Sequence, residues 1–306
     1  MTEPPSFTSW TSHDVGIKVQ TPEELFRIIS HIALLSSGRT YAWRGQRDAS
    51  WNFDSLLYRD TREADETRPV TEKLLREREL VILDEARRWG LGRDLGSSAT
   101  DMHLLAVLQH HGVPTRLIDV TSNPMTALWF ATEEHPPDKS GRVAETDGVL
   151  FAVDVTDTDW YQTFQHEGNQ TWGKLESPMS GAYNTALEKS ESSGMFRAFP
   201  ALPDDRMRAQ EGFFLGSKVP EKHTQPGVLG LNPIGAAAGQ SKLQKLLESD
   251  RGRGRPSNLP FCAVVIPNTV KRKIRGPLKR TYNRRRRVLF PDVDGFRDAL
   301  KRNQLD

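Results

Sequence analysis

Two stretches, Val149–Val155 and Phe261–Ile266, are nearly unbroken apolar runs of strand length, and they constrain the fold more than any other feature of the chain. A strand with one wet face alternates apolar and polar residues, whereas a strand apolar on both faces must be covered on both. The two runs therefore predict central strands of a sheet with elements packed above and below. Helix signals precede the first run. Thr21-Pro22-Glu23-Glu24 provides a cap, a proline suited to the first helical position and a capping-box glutamate, and Leu25, Ile28, Ile29 and Ile32 then recur at helical spacing. Residues 71–89 read as a charged amphipathic helix and Leu104–Gln109 as a shorter, more buried one. Tyr41-Ala42-Trp43 reads as a strand that Arg44-Gly45-Gln46 ends in a turn, and Gly112-Val113-Pro114 breaks the chain before a short strand, Leu117–Val120. Ser122-Asn123-Pro124 then caps a helix through Met125–Ala131. The class is α+β.

The rest of the chain adds organisation. There is no internal repeat. Residues 1–20 are rich in Ser, Thr and Pro and read as irregular, leaving 21–306 as one domain. Within it, 160–205 and 220–256 are polar and rich in Gly, Pro and Ser, which predicts loop insertions or a lid. With 306 residues, 36% of them hydrophobic, one large core needs no covalent staple. The single cysteine, Cys262, lies inside an apolar run, so disulfides and a cysteine zinc site are excluded. Met1 is followed by no signal-type apolar region, and no apolar stretch approaches the roughly 18 residues of a membrane span, so the expectation is a cytoplasmic protein without a membrane partner.

A net charge of +2 conceals a division. Residues 251–306 hold 16 of the 42 Lys+Arg and 4 of the 40 Asp+Glu, a balance of +12, against 26 basic and 36 acidic residues, −10, in the remainder. Such a chain either meets a polyanion at its basic end or uses that end to neutralise an acidic body or partner. Lys271, Arg272, Lys273 and the run Arg284, Arg285, Arg286 and Arg287 are the residues to test. Four consecutive arginines exceed what solubility requires, which favours a nucleic acid, while an acidic antitoxin or regulatory protein is the other partner compatible with the charge.

The strand, turn and helix of 117–131 set free backbone N–H groups and the hydroxyls of Thr121 and Ser122 at a helix start, a place that suits a phosphate. Arg44 at a strand end offers a bidentate partner for the same anion, and His110 and His111 lie just upstream. Each feature has an ordinary structural use as well, as a cap, a surface ion pair or a packed imidazole. Asp119 and Arg116 read as an ion pair that orients the site or pins the Pro114 turn. No cluster of carboxylates near Asp119 suggests a metal.

Taken together, Trp43-Arg44-Gly45-Gln46, then Trp51, Leu57 and Arg59, then Gln109-His110-His111-Gly112-Val113-Pro114-Thr115-Arg116-Leu117-Ile118-Asp119-Val120-Thr121, with Pro124, Ala127, Leu128, Phe130 and Ala131, resemble the FRG domain. Trp43 stands where that family's signature has Phe. Leu289–Gly295 resembles the end of such domains. The motif order is also similar to that of arginine-type ADP-ribosyltransferases, in which an arginine ends the first core strand, a Ser-Thr-Ser-like strand precedes a helix with an Ala-x-x-Phe-Ala pattern, and a late loop carries Gln/Glu-x-Glu. Here the late loop reads Gln210-Glu211-Gly212, a departure that puts the catalytic carboxylate in question.

That resemblance implies a split β-sandwich core with peripheral helices and NAD as substrate. In its terms Arg44, Thr121, Gln210 and Glu211 are the catalytic candidates. Trp43, Arg44, Gly45, Gln46, His110, His111, Thr121, Ser122 and Phe213 are the NAD-binding candidates, with Trp43 or Phe213 stacking on a ring. The implied activity is an ADP-ribosyltransferase of toxin or phage-defence type acting on nucleic acid or protein. The alternatives are a module that binds a nucleotide or nucleic acid without catalysis, and a nuclease-like effector using His110, His111 and Asp119.

Overall fold

The computed structural model of the chain describes residues 9–12, 16–35, 38–91, 100–138, 140–162, 181–199, 204–221, 227–231, 245 and 259–302. In chain order, a short 3-10 turn at Trp10–Ser12 precedes β1 (Gly16–Lys18), α1 (Pro22–Leu35), β2 (Tyr41–Gln46), α2 (Leu56–Ala64), α3 (Glu72–Arg88) and α4 (Asp101–His110). These are followed by β3 (Ile118–Thr121), α5 (Pro124–Thr132), β4 (Gly148–Asp154), β5 (Trp160–Gln162), α6 (Gly181–Ser193), β6 (Phe196–Phe199), α7 (Asp205–Ala209) and β7 (Gly212–Gly216). The chain ends with β8 (Phe261–Ile266), α8 (Asn268–Arg280), α9 (Arg286–Leu289) and α10 (Val293–Lys301).

The strands form one mixed sheet in the order β1-β8-β4-β2-β3-β7-β6-β5, parallel at β1/β8 and β5/β6 and antiparallel elsewhere. The ladders are not equally continuous. β2 pairs with β4 along its whole length, from Tyr41↔Asp154 to Gln46↔Val149, and β3 pairs with β7 from Ile118↔Leu215 to Thr121↔Gly212. Between β2 and β3 the register holds a single pair, Trp43↔Thr121. The sheet thus consists of two halves hinged at one point, and the strands part on the side of Arg44 and Asp119.

The apolar runs are central, as their composition requires. In β4, Leu150 and Ala152 belong to a core that α1, α5 and α8 cover, while Val149, Phe151 and Val153 belong to a second core with Trp10, Phe53 and Phe261. Successive side chains of a strand point to opposite faces, so both faces are dry. A third core joins α3, α4 and α6 to Leu117, Phe196, Ala198 and Phe214. Each fully buried Leu, Ile, Val or Phe contributes roughly 1.5–3 kcal/mol.

Helix α5 lies unusually close to the sheet. Asn123 caps it, its Oδ1 accepting from the Met125 amide at 2.9 Å, and Pro124 occupies the first position. Ala127 and Ala131, one turn apart on its buried face, meet Gly45 and Gly148. A Cβ on Gly45 would stand 1.7 Å from the Ala127 carbonyl oxygen, and one on Gly148 2.1 Å from that of Ala131. Gly45 therefore exists for close backbone approach and not for a turn.

Several expectations change. Arg44-Gly45-Gln46 continues β2 instead of ending it, so Arg44 is a mid-strand residue. The first twenty residues contribute the 3-10 turn and edge strand β1. The segment 160–205 carries β5, α6 and β6, and part of it, 163–180 and 200–203, lies outside the described residues, as does most of 220–256. Arg116 is not paired with Asp119. It precedes β3 at a bend and is buried, bonded to Glu79 (Nε to Oε1, 2.9 Å; Nη2 to Oε2, 3.0 Å), Glu72 and the Ser217 carbonyl, while Asp119 is held by Gln109. Tyr183 of α6 donates to Glu79 at 2.6 Å, which ties the unforeseen helix to this network.

Candidate functional site

The site forms where the sheet divides. Because β2 and β3 separate beyond Trp43↔Thr121, the Asp119 carbonyl is left without a ladder partner on β2, and the Arg44 side chain donates to it at 2.5 Å. Around this bridge lies a cavity of about 380 Å³. β2 contributes Trp43, Arg44, Gly45 and Gln46, and β3 contributes Asp119, Val120 and Thr121. The rim is completed by Trp51 and Arg59, by Gln109 and His110 at the end of α4, and by Arg206 and Gln210 around α7.

The cavity is strongly cationic at its base. Burial lowers the Arg44 pKa, with Arg59 pushing the same way and Asp119 and Asp54 opposing. Asp54, buried behind the cavity, has its pKa raised to about 6 by burial, with Arg59, Arg62 and Arg44 restraining the rise. Its nearest cations, Arg59 and Arg62, stand 4.0 Å away, too far for hydrogen bonds. Arg44 Nε, Arg59 Nε, Gln46 Oε1, Asn52 Oδ1 and Asp54 Oδ2 are buried without a hydrogen-bond partner among the described residues. Buried polar atoms seldom stay unsatisfied; of these residues Arg44, Gln46 and Arg59 line the cavity, and Asn52 and Asp54 do not.

Opposite Arg44 is the turn Gln210-Glu211. Thr121 Oγ1 donates to the Gln210 carbonyl at 2.7 Å and accepts from the Asn123 amide at 3.0 Å, so one lone pair remains for a ligand. The Ser122 amide donates to the Glu211 carbonyl at 3.1 Å. Glu211 adopts φ 51°, a left-handed conformation seldom used outside glycine, and its carboxylate is held outside the cavity by Asn123 Nδ2 at 2.9 Å and Arg284 at 3.0 Å. The Gln210 side chain donates from Nε2 to the Leu289 carbonyl at 2.9 Å, leaving Oε1 as its unused acceptor. Arg206 lies over the Phe290 ring at 4.3 Å. The segment 284–290 thereby braces the turn from behind.

At the α4 end, His110 Nε2 lies 2.9 Å from Asp204 Oδ2. Gln109 donates to Asp119 Oδ2 at 2.7 Å and accepts from Thr115 at 2.7 Å, which fixes the loop between α4 and β3.

Of the residues expected from sequence, Trp43, Arg44, Gly45, Gln46, His110, Thr121 and Gln210 line this one cavity. His111, Ser122, Glu211 and Phe213 do not. Phe213 is buried in the second core with the Trp160 ring 5.2 Å away, so it is a core aromatic and not a stacking surface. Arg59, Trp51 and Arg206 join the site without a role foreseen for them. Trp51 and Arg59 belong to the quoted motif and were within reach; Arg206 and Asp204 carry no local signal.

The basic end is divided. Lys271 is buried, donates to the carbonyls of Arg47 at 2.8 Å and Thr146 at 3.1 Å, and has its pKa lowered to about 8 by burial. Arg286 is buried against Glu133, Arg284 holds Glu211, and Arg272 pairs with Glu145 at the surface. Lys271, Arg284 and Arg286 thus serve the protein's own acceptors and not an external phosphate. Lys273 and Arg287 are exposed, and Arg285 is half-exposed. Among the described residues no group of three His, Cys, Asp or Glu side chains could hold a metal ion, and no helix is long and apolar enough to cross a membrane.

No curated protein and no solved structure matches the chain. Residues 39–140, which supply β2, α2 to α5 and β3, match the family model of the FRG domain, whereas Leu289–Gly295 lies beyond the match. The matched stretch, similar to the FRG domain, contains the strand that bears Arg44 and the loop, strand and helix that face it.

Proposed function

We propose that the protein is an NAD-dependent ADP-ribosyltransferase and that the cavity at the sheet division binds NAD. The observation that carries this reading is convergence. Arg44, Thr121 and Gln210 are far apart in the chain, come from three neighbouring strands or their turns, and line one cavity of about 380 Å³. That is the order of the arginine, hydroxyl and late-loop elements of arginine-type ADP-ribosyltransferases, and the two half-sheets joined at Trp43↔Thr121 are the feature that most favours a split core of that kind.

In this reading Arg44 and Arg59 hold the pyrophosphate. Arginine forms bidentate contacts with phosphate oxygens and stays charged when desolvated. Trp51 and Trp43 supply aromatic surface at the cavity wall, and the free Gln210 Oε1 accepts from a ribose hydroxyl. Cleavage of the bond between C1′ and nicotinamide develops oxocarbenium character, which fixed polar groups around the ribose stabilise. Glutamine positions a hydroxyl but takes no proton at neutral pH. The acceptor is a nucleic acid: Lys273, Arg285 and Arg287 remain at the surface after the internal pairs are accounted for, on the same C-terminal segment that braces the Gln210 turn.

The test is incubation with NAD labelled in its adenylate phosphate together with total RNA, DNA and protein, beside Arg44→Ala and Arg59→Ala. Label on nucleic acid, absent with Arg44→Ala, supports the reading. Label on protein alone overturns the acceptor class, and no label from folded protein overturns the transferase.

A further inference from the structure

Resting on that reading, we infer that His110, oriented by Asp204, is the general base that takes the proton of the acceptor nucleophile. The transfer needs a base because the acceptor hydroxyl or N–H must lose its proton as it bonds to C1′. Neither group of the Gln210 turn can serve. Gln210 has no basic site, and the Glu211 carboxylate is turned out of the cavity and occupied by Arg284 and Asn123.

His110 meets the geometric requirements. It ends α4 at the cavity rim, and its Nε2 stands 2.9 Å from Asp204 Oδ2. In the neutral ring the proton on Nε2 faces Asp204, which leaves Nδ1 as the basic nitrogen. His110 lines the cavity and its side chain keeps 18% of its surface exposed, so the ring is not sealed in protein. Asp204 is itself fixed, since its Oδ1 accepts from the Met207 amide at 2.7 Å as the cap of α7. A base held by a carboxylate at the nitrogen that does not react is the arrangement that orients an imidazole and stabilises its charged form.

The charge environment agrees. Burial lowers the His110 pKa, Arg206 and His111 lower it further, and Asp204 and Asp119 oppose them. The ring is therefore neutral near pH 7 and able to accept a proton. In the reaction the C1′–nitrogen bond of NAD breaks and its electron pair leaves on neutral nicotinamide. The acceptor oxygen or nitrogen forms the new bond to C1′, and its proton passes to His110 Nδ1 and then to solvent.

The experiment compares wild type, His110→Gln and Asp204→Asn, with NAD binding read by tryptophan fluorescence and transfer to the acceptor read across pH. Asparagine still caps α7, so the second variant keeps the fold. The expected result is retained NAD binding with transfer lowered about 100-fold or more in His110→Gln and the acid limb of its pH profile lost. In Asp204→Asn the acid limb moves to lower pH, because the carboxylate that raised the His110 pKa is gone. Imidazole added to His110→Gly restores part of the rate. Transfer by His110→Gln at the wild-type rate with an unchanged acid limb overturns the assignment while leaving the transferase intact; wild-type protein that binds no NAD overturns the underlying reading and the assignment with it.

Discussion

Single residues at this site are held in states that cost stability, and Asp54 shows it most clearly. Its carboxyl is raised to about 6 from an ordinary 3.8 because burial outweighs three nearby arginines, of which Arg59 and Arg62 stop 4.0 Å short of it. The folded protein then binds this proton more tightly than the unfolded chain. Stability from this group is present below about pH 4 and lost as pH rises through 6, the opposite of a salt-bridged aspartate. Asp54→Asn should flatten that slope and stabilise the protein at pH 7 by up to roughly 3 kcal/mol, read from urea midpoints at several pH values. A variant whose midpoint tracks pH as the wild type does would show that Asp54 is not the group responsible. Glu211, at positive φ with its carboxylate turned outward, belongs to the same class of residues whose local preference the surrounding structure overrides.

At the scale of elements, the packing of α5 on the β2–β4 pair positions the site, since it fixes the strand bearing Arg44 against the helix that follows Thr121. Gly45→Ala would drive a methyl group into the Ala127 carbonyl, so it should cost about 3 kcal/mol or more and part the helix from the sheet. Chemical denaturation measures the effect; a midpoint unchanged from wild type would contradict the packing. These elements also show what is legible in the sequence. The apolar runs announce β4 and β8, and Thr21 and Asn123 announce their helices, because strand burial and capping are written in adjacent residues. Gly45 reads as a turn because glycine signals both a bend and close approach, and only the partner at Ala127 distinguishes them. Helix α6 escapes the sequence because polar composition resembles a loop, while its anchor, Tyr183 on Glu79, joins distant segments. Phe213 is misassigned for the same reason: its partner, Trp160, lies on a separate strand.

For the whole molecule, the basic C-terminal portion does two jobs. Part of it closes on the body, Arg284 and Arg286 on the carboxylates of Glu211 and Glu133 and Lys271 on backbone carbonyls, and it braces Gln210 through the Leu289 carbonyl. The rest faces solvent. The two sets should separate experimentally. Lys273→Glu and Arg287→Glu should weaken single-stranded nucleic-acid binding and reduce its salt slope by about 0.7 for each phosphate no longer neutralised, with stability unchanged. Arg286→Ala should lower stability and leave the slope alone, since the half-buried Glu133 carboxylate would keep only the longer pairs to Arg47 and Arg302, each at 3.5 Å. Anisotropy titrations against salt would record both, and a reversed pattern would mean the buried and exposed sets have been confused. The central claim, that the cavity where the sheet divides is an NAD site gripped by Arg44, is tested most directly by calorimetric titration of NAD into wild-type and Arg44→Ala protein. One saturable site in the wild type, abolished in a folded Arg44→Ala, is the predicted result; the absence of binding to the wild type, or equal binding to both, would contradict it.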